Sequence, residues 1–203
     1  MKNWVFSRNI FVVLIYRILL IMVLFSFCRI GFFVFNLKMF PGITVSQFIT
    51  ILKGGLTFDI SAVVYVNMLF ILLHIIPLEI RYKNVYQTVL EYIFYITNGI
   101  AIALNGMDFV YYRFVNKRAT ADVFKTFEHD SNNTKVFFRF LVDYWPATLF
   151  TFFIWFLMVY FYKKVKVEKT GNINKIGYYS VNILMIPLAI ALVIGAARGG
   201  YKH

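Results

Sequence analysis

The sequence predicts an all-α integral membrane protein, a bundle of five transmembrane helices with short interfacial helices on the outer side. Of the 203 residues, 61% are hydrophobic and 20% are aromatic, whereas soluble domains contain roughly 45–50% apolar residues. The mean hydropathy is +0.71. The apolar residues fall into five runs, and ~20 helical residues suffice to cross a hydrocarbon core of ~30 Å. These runs and their connections fill residues 1–197, which leaves no room there for a soluble catalytic domain.

The first predicted span covers about 10–28 and follows two basic residues. It begins like a secretory signal, but Arg17 interrupts it and no small-residue cleavage site follows, so we expect it to be retained. The Arg17 side chain is expected to reach the cytoplasmic surface or to pair with Glu79 or Glu91. Residues 29–55 then form an outer connection.

Four further spans and two outer interfacial segments follow from the same patterns. Within the outer connection, a short helix is predicted from about Val45 to Leu52. Residues 113–143 carry two apolar helical faces separated by a turn-like run, which predicts two short helices lying in the interface. The fifth span contains Pro187, which predicts a kink, and residues 198–203 begin a linker. The second to fifth spans are approximately 58–78, 90–112, 145–162 and 176–197.

The basic residues indicate how the chain is oriented. The formal charge is +12, and the cations are spread between the apolar runs, so we expect anionic lipid headgroups rather than nucleic acid as partners. Arg81 and Lys83 lie in the short loop after the second span, and lysines are concentrated between positions 163 and 175, where only Glu168 opposes them. The positive-inside rule then places the amino terminus in the cytoplasm. Five spans put the carboxyl terminus outside.

Residues for soluble-enzyme chemistry are not apparent. The chain has a single cysteine, Cys28, and its three histidines lack the close spacing of a zinc-binding helix. We therefore assign no catalytic residue, no metal ligand and no cofactor within this sequence. His74 lies in an apolar run, where a hydrogen-bonded structural role is expected.

Ionisable and polar residues inside the predicted spans are the candidates for function, because each is costly in a membrane unless it is paired or hydrated. Asn98, Asn105, Asp108 and Tyr112 lie on one helical face of the third span. With Asp59 at similar depth, they predict an outer pocket for a polar lipid headgroup, lined also by nearby cations. The alternative is a set of interhelical hydrogen bonds and ion pairs that only fix packing. The cations are Arg113, Lys117 and Arg118.

Several strings resemble one family. Residues 55–59, Gly-Leu-Thr-Phe-Asp, are similar to the start of the second helix of bacterial lipoteichoic acid synthase-like membrane proteins, which are relatives of sulfatases in the alkaline phosphatase superfamily. Asn98-Gly99 with Asn105, Asp108 and Tyr111 resembles the third helix of that family, and this likeness adds Tyr111 to the headgroup site. The strings at 117–124 and 197–201 resemble the segment after that helix and the exit from the membrane. Thr57 departs from the arginine of many relatives.

The resemblance implies a five-helix anchor in the bacterial cytoplasmic membrane. It further implies a transferase of phosphoglycerol or phosphoethanolamine-type groups that uses a threonine nucleophile and a divalent metal in an outer domain. This sequence ends at His203, where that domain would begin. We therefore expect an extracytoplasmic catalytic domain in cis or in trans, and a lipid-presenting role for the helices.

Two other classes of function stay open. A small transporter or channel subunit needs polar groups across the whole bilayer, and only Arg17 and His74 lie deeper than the outer half. A structural assembly subunit would show the same helices with its ionisable groups paired and without a cavity.

Overall fold

A computed structural model describes residues 6–76, 79–117 and 141–168, together with positions 187, 191, 194 and 195. The all-α architecture is confirmed. Four of the described helices, α1, α2, α4 and α5, are long and apolar enough to cross a membrane, so the chain is a multi-pass membrane protein. The helices are α1 Ile10–Phe35, α2 Val45–Val66, α3 Met68–Ile75, α4 Asn84–Val115 and α5 Trp145–Tyr162.

The remaining elements are short. Two 3-10 turns cover Leu37–Met39 and Glu79–Tyr82, and strands β1 (Phe6–Arg8) and β2 (Val165–Val167) form a two-stranded parallel ladder that the sequence did not suggest. The predicted fifth span at 176–197 lies outside the described residues except at four positions, which are helical. The linker 198–203 and most of the interfacial segment 113–143 also lie outside them.

The helix boundaries differ from those predicted most clearly at α2, which begins at Val45. The helix expected at about 45–52 is not separate from the second span, because α2 runs without interruption through Gly54 and Gly55. The start of α2 is fixed by a capping box. The Thr44 hydroxyl accepts from the backbone N–H of Gln47 at 3.3 Å, and the Gln47 side-chain oxygen accepts from the backbone N–H of Thr44 at 2.9 Å. The helix breaks only at Asn67, where α3 begins.

One end of the bundle is identified by contacts between segments that are distant in the sequence. β1 precedes α1 and pairs with β2, which follows α5, so Phe6 lies opposite Val165. Close by, the Tyr16 hydroxyl donates to the Phe161 carbonyl at 3.1 Å. The Arg81 guanidinium lies 5.7 Å from the Phe11 ring, which brings the turn between α3 and α4 to the same end. We call this the amino-terminal end; the basic segments at 81–83 and 163–166 share it, as predicted.

The helices approach closely where small residues replace bulky ones. A Cβ atom added at Gly106 of α4 would overlap the Thr151 side chain of α5, and one added at Gly31 of α1 would overlap the Phe150 ring. Because lipid and apolar side chains attract one another about equally, such close backbone packing is a main source of helix association in membranes. Glycine at these positions therefore sets the spacing of α1, α4 and α5.

A reciprocal amide pair joins the second and third membrane crossings. The Asn67 Nδ2 atom donates to the Asn98 Oδ1 atom at 2.9 Å, and Asn98 Nδ2 returns a bond to Asn67 Oδ1 at 2.8 Å. Both residues are 0% exposed. Each Nδ2 atom also donates to a carbonyl one turn earlier, on Val63 or Phe94. All polar atoms of both amides are thus hydrogen-bonded in an apolar setting, where unpaired ones are costly.

We expect Asn98→Leu to lower the free energy of unfolding by about 1–2 kcal/mol, because it leaves the buried Asn67 amide without its partner. The double variant Asn67→Leu/Asn98→Leu should recover most of that loss, since it removes both polar groups at once. Unfolding of the purified protein in mixed detergent micelles measures both values. Additive losses in the double variant would show that the two amides are not coupled.

Candidate functional site

Asp59 is the most buried member of the predicted headgroup site, and its carboxylate is paired. The Arg29 Nη2 atom lies 2.6 Å from Asp59 Oδ1 and also donates to the Gly55 carbonyl at 3.1 Å. Asp59 is 8% exposed. Gly55 permits this arrangement, because a Cβ at that position would overlap the Arg29 guanidinium. The ion pair joins α1 to α2 and leaves the Asp59 carboxylate little contact with lipid or water.

The sequence analysis missed Arg29, since it ended the first span at Cys28. α1 instead continues to Phe35. The signal that was available is the apolar run at 31–35 directly after Arg29, which shows that the charge lies inside a longer span and not at its end. A cation at such a position requires a partner, and α2 supplies it.

Residues of the polar stripe on α4 differ in the contacts that they make. Asn105 is half-buried and donates to the Ala101 carbonyl of its own helix at 2.9 Å. The Tyr112 ring packs against two phenylalanines from the end of α1 and the turn after it, with centroid distances of 5.0 Å to Phe32 and 5.7 Å to Phe40. Asp108 is half-buried, one turn before Tyr112. Asn98, Asn105 and Tyr112 of the stripe therefore take part in contacts within the bundle.

Two side-chain hydrogen bonds join the last turns of α4 to the end of α1. The Arg113 guanidinium donates to the Phe35 carbonyl, and the Asn36 side chain donates to the Phe109 carbonyl at 3.0 Å. α4 ends at Asn116, which adopts a left-handed conformation with a φ of 55°. The bond to Phe35 satisfies a carbonyl in the last turn of α1 that the helix itself leaves open.

The surface at the end of α4, next to these hydrogen bonds, carries the site residues that remain accessible. Arg113 and Lys117 are exposed, and Tyr111 is half-buried beside them in sequence. Arg118 lies outside the described residues. The predicted approach of Asp59 to Asp108 stays a prediction. The structure thus places Arg113, Tyr112 and the end of α1 together and assigns Asp59 to a separate ion pair with Arg29.

Two expectations about deeper residues do not match the structure. Arg17 does not extend to the surface: it is 4% exposed, and its guanidinium carbon lies 3.9 Å from the centroid of the Tyr162 ring. Neither Glu79 nor Glu91 forms an ion pair with it among the described residues. His74 is buried, but neither ring nitrogen has a hydrogen-bond partner within the described part of the chain. Tertiary packing encloses both side chains, which sequence spacing does not reveal.

No family model, no curated protein and no solved structure matches this chain. The likeness to lipoteichoic acid synthase-like membrane domains therefore stays a prediction from the sequence strings.

Proposed function

We propose that the chain is a membrane anchor that holds a phosphate-bearing lipid headgroup at the end of the bundle opposite the amino-terminal end. The observation that supports this is the pair of exposed cations, Arg113 and Lys117, at the point where α4 leaves the bundle. Each cation near a membrane surface contributes about 1 kcal/mol of attraction for anionic lipid. Arginine adds the geometry to donate two hydrogen bonds to a phosphate.

Neighbouring polar groups extend the proposed site beyond its two cations. Asp108 and Tyr111 lie on the turns of α4 just before Arg113, and both are half-buried. A carboxylate and a phenol at this depth are suited to hydrogen-bond the hydroxyl or amine groups of a headgroup. Asp59, Asn105 and Tyr112 act in this proposal by positioning the helices.

The proposed role is lipid presentation for a lipoteichoic acid synthase-like transferase of phosphoglycerol or phosphoethanolamine-type groups. The catalytic residues and the divalent metal then belong to an extracytoplasmic domain, which acts in cis or in trans. In this proposal the amino-terminal end faces the cytoplasm of a bacterial cell, because lysines 83, 163, 164 and 166 lie there. The proposed headgroup site then faces outward, as does the carboxyl terminus.

A structural assembly subunit is the second candidate. It is favoured by the pairing of polar groups within the bundle, namely Arg29 with Asp59 and Asn67 with Asn98. Such pairs fix helix positions without any ligand. A transporter or channel subunit receives less support, because the same pairing occupies polar groups that would line a path across the membrane.

We expect Lys117→Gln to weaken binding of phosphatidylglycerol about fivefold, because one surface cation is worth about 1 kcal/mol. Arg113→Gln combined with Lys117→Gln should weaken it further. Native mass spectrometry of the protein in nanodiscs with increasing phosphatidylglycerol content measures the bound lipid. Lys53→Gln removes an exposed lysine from α2 and is the matched control.

The two candidates give different results in this experiment. A lipid-presenting anchor loses bound phosphatidylglycerol only when Arg113 or Lys117 is replaced. A structural subunit binds the same amount of lipid in the parent, in Lys117→Gln and in Lys53→Gln.

A further inference from the structure

Buried polar atoms that lack a partner are concentrated near the amino-terminal end. Among the described residues, eleven buried side-chain nitrogen and oxygen atoms have no hydrogen-bond partner. Five of these belong to Arg17, His74 and Tyr162: the Nε and Nη1 atoms of Arg17, both ring nitrogens of His74 and the Tyr162 hydroxyl. The three residues are only 4%, 1% and 3% exposed. Since nearly all buried polar groups in proteins are satisfied, this concentration requires an explanation.

A series of ring contacts links the three side chains, which come from α1, α3 and α5. The Arg17 guanidinium carbon is 3.9 Å from the Tyr162 ring centroid. From Tyr162, ring centroids follow at 4.8 Å to Phe94, a further 5.0 Å to Phe70 and a further 5.0 Å to His74. Arg17 and Tyr162 are thus in direct contact, and the rings of Phe94 and Phe70 lie between Tyr162 and His74.

The charge in this region is not balanced by a direct contact. Arginine stays protonated in proteins, and a buried cation without a counter-charge is strongly unfavourable. Glu91 of α4 lies one turn before Tyr95, whose ring packs against Tyr162 beside Arg17. It is half-buried, and no ion pair joins it to Arg17 among the described residues. Within the described part of the chain, Arg17 is thus a buried cation without a paired anion, and the Glu91 carboxylate does not form an ion pair with it.

We propose that Arg17 and Tyr162 bind a phosphate-type oxyanion. Both side chains offer hydrogen-bond donors, the guanidinium N–H groups and a phenolic O–H. Phosphate oxygens accept from several donors at once and are bound strongly by arginine. This site lies at the end of the bundle opposite the proposed lipid-presenting surface and is independent of it. The oxyanion is either free phosphate or the phosphate of a lipid headgroup from the leaflet at the amino-terminal end.

A polar face of α4 leads toward the site. Gln87, Glu91 and Tyr95 follow one another at intervals of four residues, so they line one helical face, and all three are half-buried. Tyr95 packs against Tyr162 with ring centroids 5.1 Å apart. The Gln87 side chain donates to the Arg81 carbonyl. This bond holds the start of the face, at the amino-terminal end of the bundle, near the turn at Glu79–Tyr82. Glu91 lies on this face between Gln87 and Tyr95, where its carboxylate would compete with an incoming anion.

The test uses the purified full chain in neutral detergent. Its unfolding temperature is measured in inorganic phosphate and in chloride of equal ionic strength, and separately with phosphatidylglycerol and with phosphatidylcholine in mixed micelles. We expect phosphate or phosphatidylglycerol to raise the unfolding temperature of the parent by about 3 °C or more at saturating concentration. A response to phosphate identifies a free anion, and a response to phosphatidylglycerol alone identifies a lipid headgroup.

The variants are chosen so that the fold is preserved. Tyr162→Phe keeps the ring that packs on Arg17 and removes only the hydroxyl, so it should reduce the response several-fold. Tyr160→Phe makes the same change at an exposed position of α5 and should leave the response unchanged. Glu91→Gln removes the competing negative charge and should strengthen the response. Arg17→Gln should abolish it, and the other variants carry the test if Arg17→Gln does not fold.

Three results would overturn the inference. The first is a parent protein that phosphate and phosphatidylglycerol stabilise no more than they stabilise Tyr162→Phe. The second is loss of the response in Glu91→Gln, which would mean that Glu91 supports the site and that Arg17 is balanced internally. The third is a lipid response that disappears in Lys117→Gln but persists in Tyr162→Phe, because that response would belong to the opposite end of the bundle.

Discussion

Replacement of Asp59 by alanine is expected to lower the free energy of unfolding by about 3–5 kcal/mol, because it leaves the enclosed Arg29 guanidinium without its counter-charge. The ion pair is short, at 2.6 Å, and the two side chains are only 18% and 11% exposed. The loss should therefore be largely independent of salt, unlike that of a surface pair. Equilibrium unfolding in mixed detergent micelles at low and high ionic strength measures it.

Two further variants show whether this loss comes from the ion pair. Arg29→Met combined with Asp59→Leu removes both charges and should recover most of the stability, since an apolar pair of similar volume can replace a buried ion pair. Glu168→Ala removes an exposed carboxylate and should change the stability by less than 1 kcal/mol. An Asp59→Ala protein as stable as Glu168→Ala would mean that Arg29 finds another partner.

Gly106→Val is the second change with a large expected effect. A side chain at this position would overlap Thr151, so α4 and α5 must move apart or Thr151 must leave its rotamer, in which it bonds the Ala147 carbonyl at 2.9 Å. Overpacking of this kind costs about 1–3 kcal/mol. The loss of close packing along the α4 and α5 interface should place Gly106→Val at the upper part of that range. Unfolding in detergent is again the measurement.

Gly54→Val is the matched control for this prediction. It makes the same substitution in the middle of a helix, but no atom lies within 4 Å of the Cβ position at Gly54. The change in helix propensity is common to both variants, so the difference between them isolates the helix contact. Equal stability of the two variants would contradict the close approach of α4 to α5.

The candidate site was only partly accessible to sequence reasoning. The stripe at Asn105, Asp108 and Tyr112 follows from helical periodicity, and the structure indeed places Tyr112 against α1. The pairing of Asp59 was not foreseen, because its partner Arg29 lies 30 positions earlier on a different helix. Periodicity identifies the residues that share a face of one helix, but it does not say which helix that face meets.

The amino-terminal end shows the same limit more strongly. Arg17 was expected to reach the surface or to pair with a glutamate, since a single charge near a helix start usually has such a solution. The ring of Tyr162 and the packing of α5 against α1 enclose it instead. No local pattern brings positions 17 and 162 together.

The sequence by itself determined that this is an all-α multi-pass membrane protein and that the basic segments at 81–83 and 163–166 share one end of the bundle. These properties depend on the hydropathy of short segments and on charge counts, which are local. Only the tertiary structure decided that α2 is continuous, that Arg29 neutralises Asp59, that Asn67 meets Asn98 and that Arg17 is enclosed against Tyr162. Those outcomes depend on which helices become neighbours, and that choice results from close packing at positions such as Gly55 and Gly106, where the absence of a side chain lets a distant residue approach.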